Sequence, residues 1–309
     1  MDYSQKQKEK VMTQLTTIDT DNYAAMAKAM GIAHEKTSTS SSSLARLRIN
    51  HSPIMGTADV NGKKVNVEVV EGGTYKLEIP DGPTYYASSI KMRPFMQRFM
   101  HKRFVQATAK SPNRYIKSVM ADSLDIDLKD NDGGFNCGKA AGYIKDFSAL
   151  PKAQQELLKA IKRVRVVLGE VELVNPTNDK GEPIEVANTP FIWEIDNRDA
   201  FKEIGTCFTS LAKMQRLPIK HIITATTDER KIPTGASYYV PLAKLDVSTA
   251  VELTDEDQVL FGDFMAWIDN YNTYIINQWA EKANSTMADD DIDVVDNLVD
   301  IEVDDEDAA

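Results

Sequence analysis

The chain has 309 residues, of which 42% are hydrophobic and 27% charged, a composition typical of a soluble globular protein with a substantial core. No apolar run reaches the roughly 20 residues that a membrane-spanning helix needs, so we expect no membrane association, and the polar opening MDYSQK predicts no secretory signal. Cys137 and Cys207 form neither a disulfide framework nor a CxxC pair, which favours a reducing cytoplasm, the host cytoplasm if the protein is viral.

The formal net charge of −11 is concentrated at one end of the sequence. Residues 285–309 contain 11 Asp or Glu and no Lys or Arg, which leaves 36 of the 47 acids to balance all 36 bases in residues 1–284. Self-repulsion and low apolar content therefore predict a disordered acidic tail at 285–309 that follows a neutral body.

The first segments in chain order are a helical arm and a linker. Residues 1–36 are polar, with apolar positions at loosely helical spacing, and we expect an N-terminal helical arm there. Residues 37–44 are rich in serine and predict a flexible linker.

Residues 45–253 have the texture of a β-rich domain. Period-two alternation of apolar and polar residues predicts strands in LARLRINH, KKVNVEVV, GGTYKLEIPDGPTYYASSI, RVRVVLGEVELV, IEVANTPFIWEI, KHIITAT and GASYYVPLAKL. Helical spacing predicts two interrupting helices, near 152–162 and 198–214, the second capped by Asn197.

The clearest helix is predicted within residues 254–284. Thr254 can cap it, Asp257 stands where a capping box places its acid, and the apolar residues after it step by three or four. We expect this amphipathic helix to pack on the body.

A basic and aromatic stretch, KMRPFMQRFMHKRF at 91–104, lies in a 40-residue window, 82–121, that contains no Asp or Glu. Core-facing aromatics on strands with a basic outer face would account for the aromatics, but not for the absence of acids. A groove for single-stranded nucleic acid accounts for both, because cations bind phosphates and aromatic rings stack on unpaired bases.

We therefore predict an α+β, β-rich fold with an oligonucleotide-binding (OB)-like barrel core, added helices and a long C-terminal helix. The candidate phosphate-binding residues are Arg46, Arg48, Lys91, Arg93, Arg98, Lys102, Arg103, Lys139, Lys162, Arg163 and Arg165. The candidate stacking residues are Tyr85, Tyr86, Phe95, Phe99, Tyr115, Trp193 and Tyr238, of which we expect about half to be core residues. Lys139 belongs to the glycine-rich segment GGFNCGKAAGY, which lacks the spacing of a nucleotide-binding P-loop and predicts a mobile loop.

The basic, aromatic, strand-rich body followed by an acidic tail resembles the single-stranded DNA-binding proteins of bacteriophages and bacteria. MADDDIDVV at 287–295 is similar to the acidic cluster of the bacterial tails, but DEDAA replaces the aromatic residue with which many of those tails end. The resemblance implies binding and protection of single-stranded DNA during replication or recombination. It also implies a tail that recruits replication or recombination proteins or competes with DNA. The likeness lies in charge texture and covers no residue-by-residue motif.

The sequence contains no enzyme signature. His34, His51, His101 and His221 are scattered, no nucleophile elbow is present, and DSLDIDLKDND at 122–132 departs from a calcium loop and favours a strand with an acidic face. We expect no catalysis, no cofactor and no metal. A structural or assembly protein with a basic protein-binding face and a strand-annealing mediator remain alternatives, and self-association into a homo-oligomer is left open.

Overall fold

The computed structural model describes residues 44–60, 62–107, 112–139, 144, 146–232 and 235–299, with the backbone alone for residue 60 and for 285–299. That part of the chain contains eleven strands: β1 (Ala45–Ile49), β2 (Ile54–Val60), β3 (Lys63–Val70), β4 (Tyr75–Glu78), β5 (Thr84–Ala87), β6 (Ser89–Val105), β7 (Arg114–Lys117), β8 (Ile161–Val174), β9 (Thr189–Ile195), β10 (Ile223–Lys231) and β11 (Ser237–Leu245). Its three α-helices are α1 (Lys152–Ala160), α2 (Arg198–Lys213) and α3 (Asp255–Val299).

Nine strands form one mixed sheet around the long antiparallel pair of β6 and β8. The strand order is β11-β10-β6-β8-β9-β1-β4-β5, with β7 paired to the far end of β6. Only β1 and β9 run parallel among the described pairs. β2 and β3 form a separate hairpin. The prediction of an α+β, strand-rich fold with a long C-terminal helix is confirmed.

The described strands do not close into a barrel, because the hydrogen-bonded order has two ends, β11 and β5. The sheet curls strongly nevertheless. The Tyr75 hydroxyl on β4 donates to the carbonyl oxygen of Thr226 on β10 at 3.0 Å, and the Thr227 hydroxyl donates to the carbonyl oxygen of Gly73 at 2.6 Å. Side-chain hydrogen bonds thus join parts of the sheet that are far apart in the strand order.

A helix covers each face of the sheet. On one face α2 buries Ile204 and Phe208 against a core that includes Tyr75, Met92 and Trp193. On the other face α3 buries Phe264 and Ile268 against a second core that includes Phe95, Met100, Val166 and Ile192. We call these the α2 face and the α3 face. Neighbouring β9 residues Ile192 and Trp193 enter different cores, as strand alternation requires.

The predicted helix caps are present. The Asn197 side-chain oxygen accepts hydrogen bonds from the amides of Asp199 and Ala200 at the start of α2. At the start of α3, the amide of Thr254 donates to the Asp257 carboxylate at 2.8 Å and the amide of Asp257 donates to the Thr254 hydroxyl at 3.3 Å, a capping box.

Arg93 from β6 fixes the start of α3 to the sheet. Its guanidinium donates to both carboxylate oxygens of Asp257 at 2.7 Å and to the carbonyl oxygen of Ile219 at 2.7 Å. The Arg93 and Asp257 side chains are only 13% and 8% exposed. The hydrogen bonds from Arg93 are the main cause that lowers the pKa of Asp257, so this carboxylate is charged at neutral pH.

Several predicted boundaries differ from the structure. Residues 122–132 form a loop with isolated bridges, so the strand predicted there is wrong, and Asp130 is buried because its carboxylate accepts amide hydrogen bonds. α3 continues past its predicted end at Asn284 to Val299, and the spacing of Ile292, Val295 and Val299 is helical. The predicted arm at 1–36, residues 37–43 of the linker, and residues 300–309 of the tail lie outside the described residues. No described helix combines the length and apolar character needed to cross a bilayer.

We predict that Arg93→Gln lowers the free energy of unfolding by about 3 kcal/mol, because it leaves the buried Asp257 charge without its partner. Lys91→Gln on the same strand is the control. Its partner Glu172 lies 2.8 Å away but both side chains are about half exposed, so the loss should stay below about 1 kcal/mol. Urea unfolding of both variants measures the difference.

Acid unfolding provides a second readout of the same pair. Because the pKa of Asp257 is lowered in the folded state, its stabilisation is complete at neutral pH and is lost as the pH falls through its ordinary value of 3.8 and below. Arg93→Gln should flatten this acid-dependent loss. Equal stability losses in the two variants, with parallel acid profiles, would contradict the prediction.

Candidate functional site

A cleft of about 550 Å³ opens beside α3 and is lined mainly by β1, β9, β6 and β7. Four cationic side chains line it: Arg46, Arg48, Lys102 and Lys117. Four aromatic residues line it as well: Tyr115, Trp193, Tyr239 and Trp267. Five of the predicted site residues, Arg46, Arg48, Lys102, Tyr115 and Trp193, therefore line one cavity although they come from four strands.

Strand alternation places the four cations on the same face. In β1 the alternate residues Ala45 and Leu47 are buried, which leaves Arg46 and Arg48 exposed. Lys102 on β6 lies directly opposite Lys117 on β7. All four therefore project on the α3 face, in the region that α3 leaves open.

Two acids occupy the same cleft. The Glu194 carboxylate accepts hydrogen bonds from the Lys117 ammonium at 3.2 Å and from the Lys102 ammonium at 3.4 Å. Burial alone would raise the pKa of Glu194, but the charges of Lys117 and Lys102 outweigh burial and lower it, so the carboxylate is ionised at neutral pH. Asp196 lies 3.9 Å from the Lys102 ammonium. The two lysines are thus held by acids.

The two arginines of the cleft are less constrained. Arg48 is 3.5 Å from Glu78 but its side chain is 57% exposed. Arg46 forms no ion pair with a described residue and is exposed. The arginines are therefore the cations of the cleft that are most accessible to an anionic ligand.

An exposed aromatic pair stands at the edge of the cleft. Phe104 and Tyr115 lie opposite each other on β6 and β7, with ring centroids 5.0 Å apart. They are 43% and 51% exposed, so the pair forms a continuous aromatic surface that is open to solvent. The Lys102 ammonium lies 4.8 Å from the Tyr115 ring centroid, so a cation adjoins the aromatic surface. On α3, Trp267 stacks on Tyr271 at 5.9 Å.

Four of the predicted site residues, Tyr86, Phe95, Arg165 and Trp193, are buried, and a fifth, Arg93, is partly buried. Phe95 belongs to the core beneath α3 and Tyr86 is 5% exposed. Arg93 is the partner of Asp257 described above. Arg165 is 8% exposed, and its guanidinium lies 4.4 Å from the Phe201 ring centroid and 5.0 Å from that of Phe99.

Arg165 and the residues around it form a closed internal contact. Its guanidinium donates to the Gln97 side-chain oxygen and to the carbonyl oxygen of Phe201. A Cβ atom at Gly205 on α2 would lie 2.5 Å from the Arg165 terminal nitrogen, so α2 approaches this closely only because residue 205 is a glycine. Phe99, predicted to stack on a base, instead packs on Arg165.

The remaining predicted site residues neither line the cleft nor belong to the buried group. Lys91 pairs with Glu172, Arg98 pairs with Asp122 at 3.0 Å, and Tyr85 packs against the core of the α2 face. Lys162 is exposed and lies opposite Lys102, on the cleft side of the sheet. Arg103, Lys139 and Arg163 lie together away from the cleft, as described further below.

The sequence analysis did not propose several residues of this region: Phe104, Lys117, Glu194, Asp196, Tyr239 and Trp267. Lys117 and Phe104 belong to the acid-free window and follow the same alternation as Lys102, so period-two counting along that window would have included them. Trp267 belongs to the apolar stripe of α3 and has no sequence signal that separates it from the core residues.

The arrangement is suited to an anionic, partly aromatic polymer. Cations and exposed rings adjoin in an open cleft, while the described residues contain no group of three or more His, Cys, Asp or Glu positioned to hold a metal ion. Comparison with known proteins finds no family model, no curated protein and no solved structure that matches this chain.

Proposed function

We propose that this protein binds single-stranded DNA in the cleft and protects it during replication or recombination, without catalysis. The observation that carries the proposal is the convergence of Arg46, Arg48, Lys102 and Tyr115 on one cavity of about 550 Å³. The cations and rings come from separate strands, so their proximity is a property of the fold.

The accessible cations supply the affinity for phosphates. Arg46 and Arg48 present guanidinium groups, which bind phosphate oxygens in a bidentate manner, and Lys162 adds an exposed ammonium on the same side of the sheet. Release of the counterions condensed on the strand makes such binding strongly dependent on salt.

The exposed rings supply the preference for unpaired bases. Phe104 and Tyr115 together form an aromatic surface that a base can stack on, and stacking needs a base that is not already stacked in a duplex. Stacking tolerates any base, so the proposed binding has little sequence preference.

A curled open sheet can serve this purpose as an OB-type barrel would. A barrel contributes a concave strand surface with charged and aromatic side chains, and β1, β9, β6 and β7 contribute the same surface here. The likeness to OB proteins proposed from sequence therefore concerns the chemistry of the groove.

Acids regulate access to the cleft in this proposal. Glu194 already occupies Lys102 and Lys117 and must be displaced, or its charge offset, when a phosphate approaches. We propose that the 11 acids of residues 285–309 also compete with DNA phosphates for the cations of the cleft. The same segment recruits replication or recombination proteins in this proposal.

The two arginines of the cleft should contribute salt-dependent affinity for the strand. Arg46→Gln with Arg48→Gln should weaken binding of a dT oligonucleotide roughly tenfold at 0.1 M salt and reduce the slope of log affinity against log salt by about 1.4, the loss of two phosphate contacts on a single strand. Fluorescence anisotropy over a salt series measures both. Lys91→Gln with Lys244→Gln removes the same charge from exposed positions outside the cleft and should leave the slope unchanged. Equal effects of the two pairs would place the strand elsewhere.

The two exposed rings should contribute affinity that does not depend on salt. Phe104→Ala with Tyr115→Ala should cost about 1–3 kcal/mol of binding free energy per base that stacks, with the salt slope retained because no cation is removed. Tyr274→Ala on α3, where the ring is 59% exposed, is the matched control. Undiminished affinity of the double variant would mean that the rings take no part in binding.

The acids that compete with DNA phosphates should weaken binding in the wild type. Glu194→Gln, and separately a chain that ends at Asn284, should each bind the oligonucleotide several-fold more tightly, because each removes negative charge that opposes the phosphates. Glu172→Gln, which releases Lys91 outside the cleft, should have no such effect. Weaker binding by Glu194→Gln would show that Glu194 supports the bound state.

A further inference from the structure

A second group of cations lies on the sheet face opposite the cleft. His101 on β6 is directly opposite Arg163 on β8, and Arg103 follows two residues later on the same face. Lys139 comes directly after the turn Asn136–Gly138, and a Cβ atom at Gly138 would lie 3.9 Å from the Arg103 guanidinium carbon. The turn therefore lies against Arg103.

These cations have no acidic partners in the described part of the chain. Arg103, Lys139 and Arg163 form no ion pair there, whereas the neighbouring Arg98 and Lys102 each pair with an acid. The nearby buried carboxylate of Asp130 accepts hydrogen bonds from the amides of Asp132, Gly134 and Cys137. These hydrogen bonds stabilise the loop, and Asp130 forms no ion pair with the three cations.

Buried polar atoms in the same place also have no hydrogen-bond partner among the described residues. His101 is 1% exposed, and neither of its ring nitrogens is hydrogen-bonded to a described residue. The Nε atom of Arg103 is likewise buried without a partner. Buried polar groups in native proteins are nearly always hydrogen-bonded, so these groups point to a hydrogen-bond acceptor that the described residues do not supply.

The loop that carries Lys139 is held rigidly. Asn136, Cys137 and Gly138 all have positive φ, at 52°, 59° and 99°. The Asn136 side chain accepts a hydrogen bond from the amide of Leu128 at 2.9 Å and donates to Asp127 at 2.8 Å. These hydrogen bonds define the course of the turn that places the backbone of Lys139 near Arg103.

We propose that Arg103, Lys139, Arg163 and His101 form a second anion site, which takes a phosphoryl group. Three cations offset the charge of about −1.5 to −2 that a phosphoryl group carries at neutral pH, and two guanidinium groups can donate hydrogen bonds to its oxygens. Burial and the charges of Lys139 and Arg163 lower the pKa of His101 to about 4, so the ring is neutral and can donate from one nitrogen. The site stands on its own residues and does not depend on the proposed function of the cleft.

The test follows the His101 ring signals by NMR in the full chain during titration with inorganic phosphate. We expect saturable shifts in the wild type. Lys139→Gln with Arg163→Gln should raise the dissociation constant for phosphate about tenfold or more. Both side chains reach solvent and lack ion pairs with described residues, so this variant should fold, and Arg163→Gln alone is the second variant if it does not. Lys162→Gln, the adjacent residue on the opposite face, is the matched control and should bind as the wild type does.

Two further titrations identify the source of the phosphoryl group. Displacement of phosphate by ATP would indicate a free nucleotide. Shifts of the His101 signals by a dT oligonucleotide in the Arg46→Gln, Arg48→Gln background would indicate a phosphodiester of a strand. If the oligonucleotide does not bind at all and phosphate still moves His101, the function proposed for the cleft is wrong and this site stands. No phosphate-dependent shift, or the same phosphate affinity in the wild type and the double variant, would overturn the site.

Discussion

The pairing of β6 with β8, and one irregularity in it, determines which side chains reach which face. The register shifts between Pro94 and Met96, so the consecutive residues Phe95 and Met96 both enter the core beneath α3. Before this bulge the odd-numbered residues of β6 face α3, and after it the even-numbered residues do. Without the extra residue, Arg103 and not Lys102 would lie in the cleft, because a slip of one residue exchanges the two faces of a strand.

The alternation after the bulge distributes the basic stretch between two surfaces. Lys102 joins Arg46 and Arg48 on the α3 face, while His101 and Arg103 join Arg163 on the α2 face. The absence of acids in residues 82–121 is thus a local property of the sequence. Acids from distant parts of the sequence form ion pairs with three of these bases: Asp257 with Arg93, Glu172 with Lys91, and Glu194 with Lys102. Fewer bases are therefore without an acidic partner than the composition of this window implies.

Local patterns were sufficient to predict most of the elements. Alternation in ARLRI and KKVNVEVV predicts β1 and β3, and the caps at Asn197 and Thr254 predict the starts of two helices, because these signals involve only neighbours in sequence. The cleft was predicted only in part. The burial of Arg165 depends on Phe99 and Phe201, and on the absence of a side chain at Gly205, three positions that only the tertiary fold brings together. The alternation of residues in 122–132 predicted a strand, but the segment is a loop. The Asp130 carboxylate accepts hydrogen bonds from backbone amides of this loop, and a pattern of apolar and polar residues does not reveal such bonds.

The parallel pairing of β1 with β9 has a consequence for biosynthesis. Ala45 pairs with Phe191, and the cleft further requires Glu194 from β9 and Trp267 from α3. In a chain that emerges from the ribosome N-terminus first, β1, β4 and β5 are complete at residue 87 and can pair with one another. Residues 88–188 must still be made before β9 is available to pair with the other edge of β1. During that time the nascent protein has an unpaired strand edge that is prone to aggregation, and the cleft is complete only when synthesis reaches the last helix.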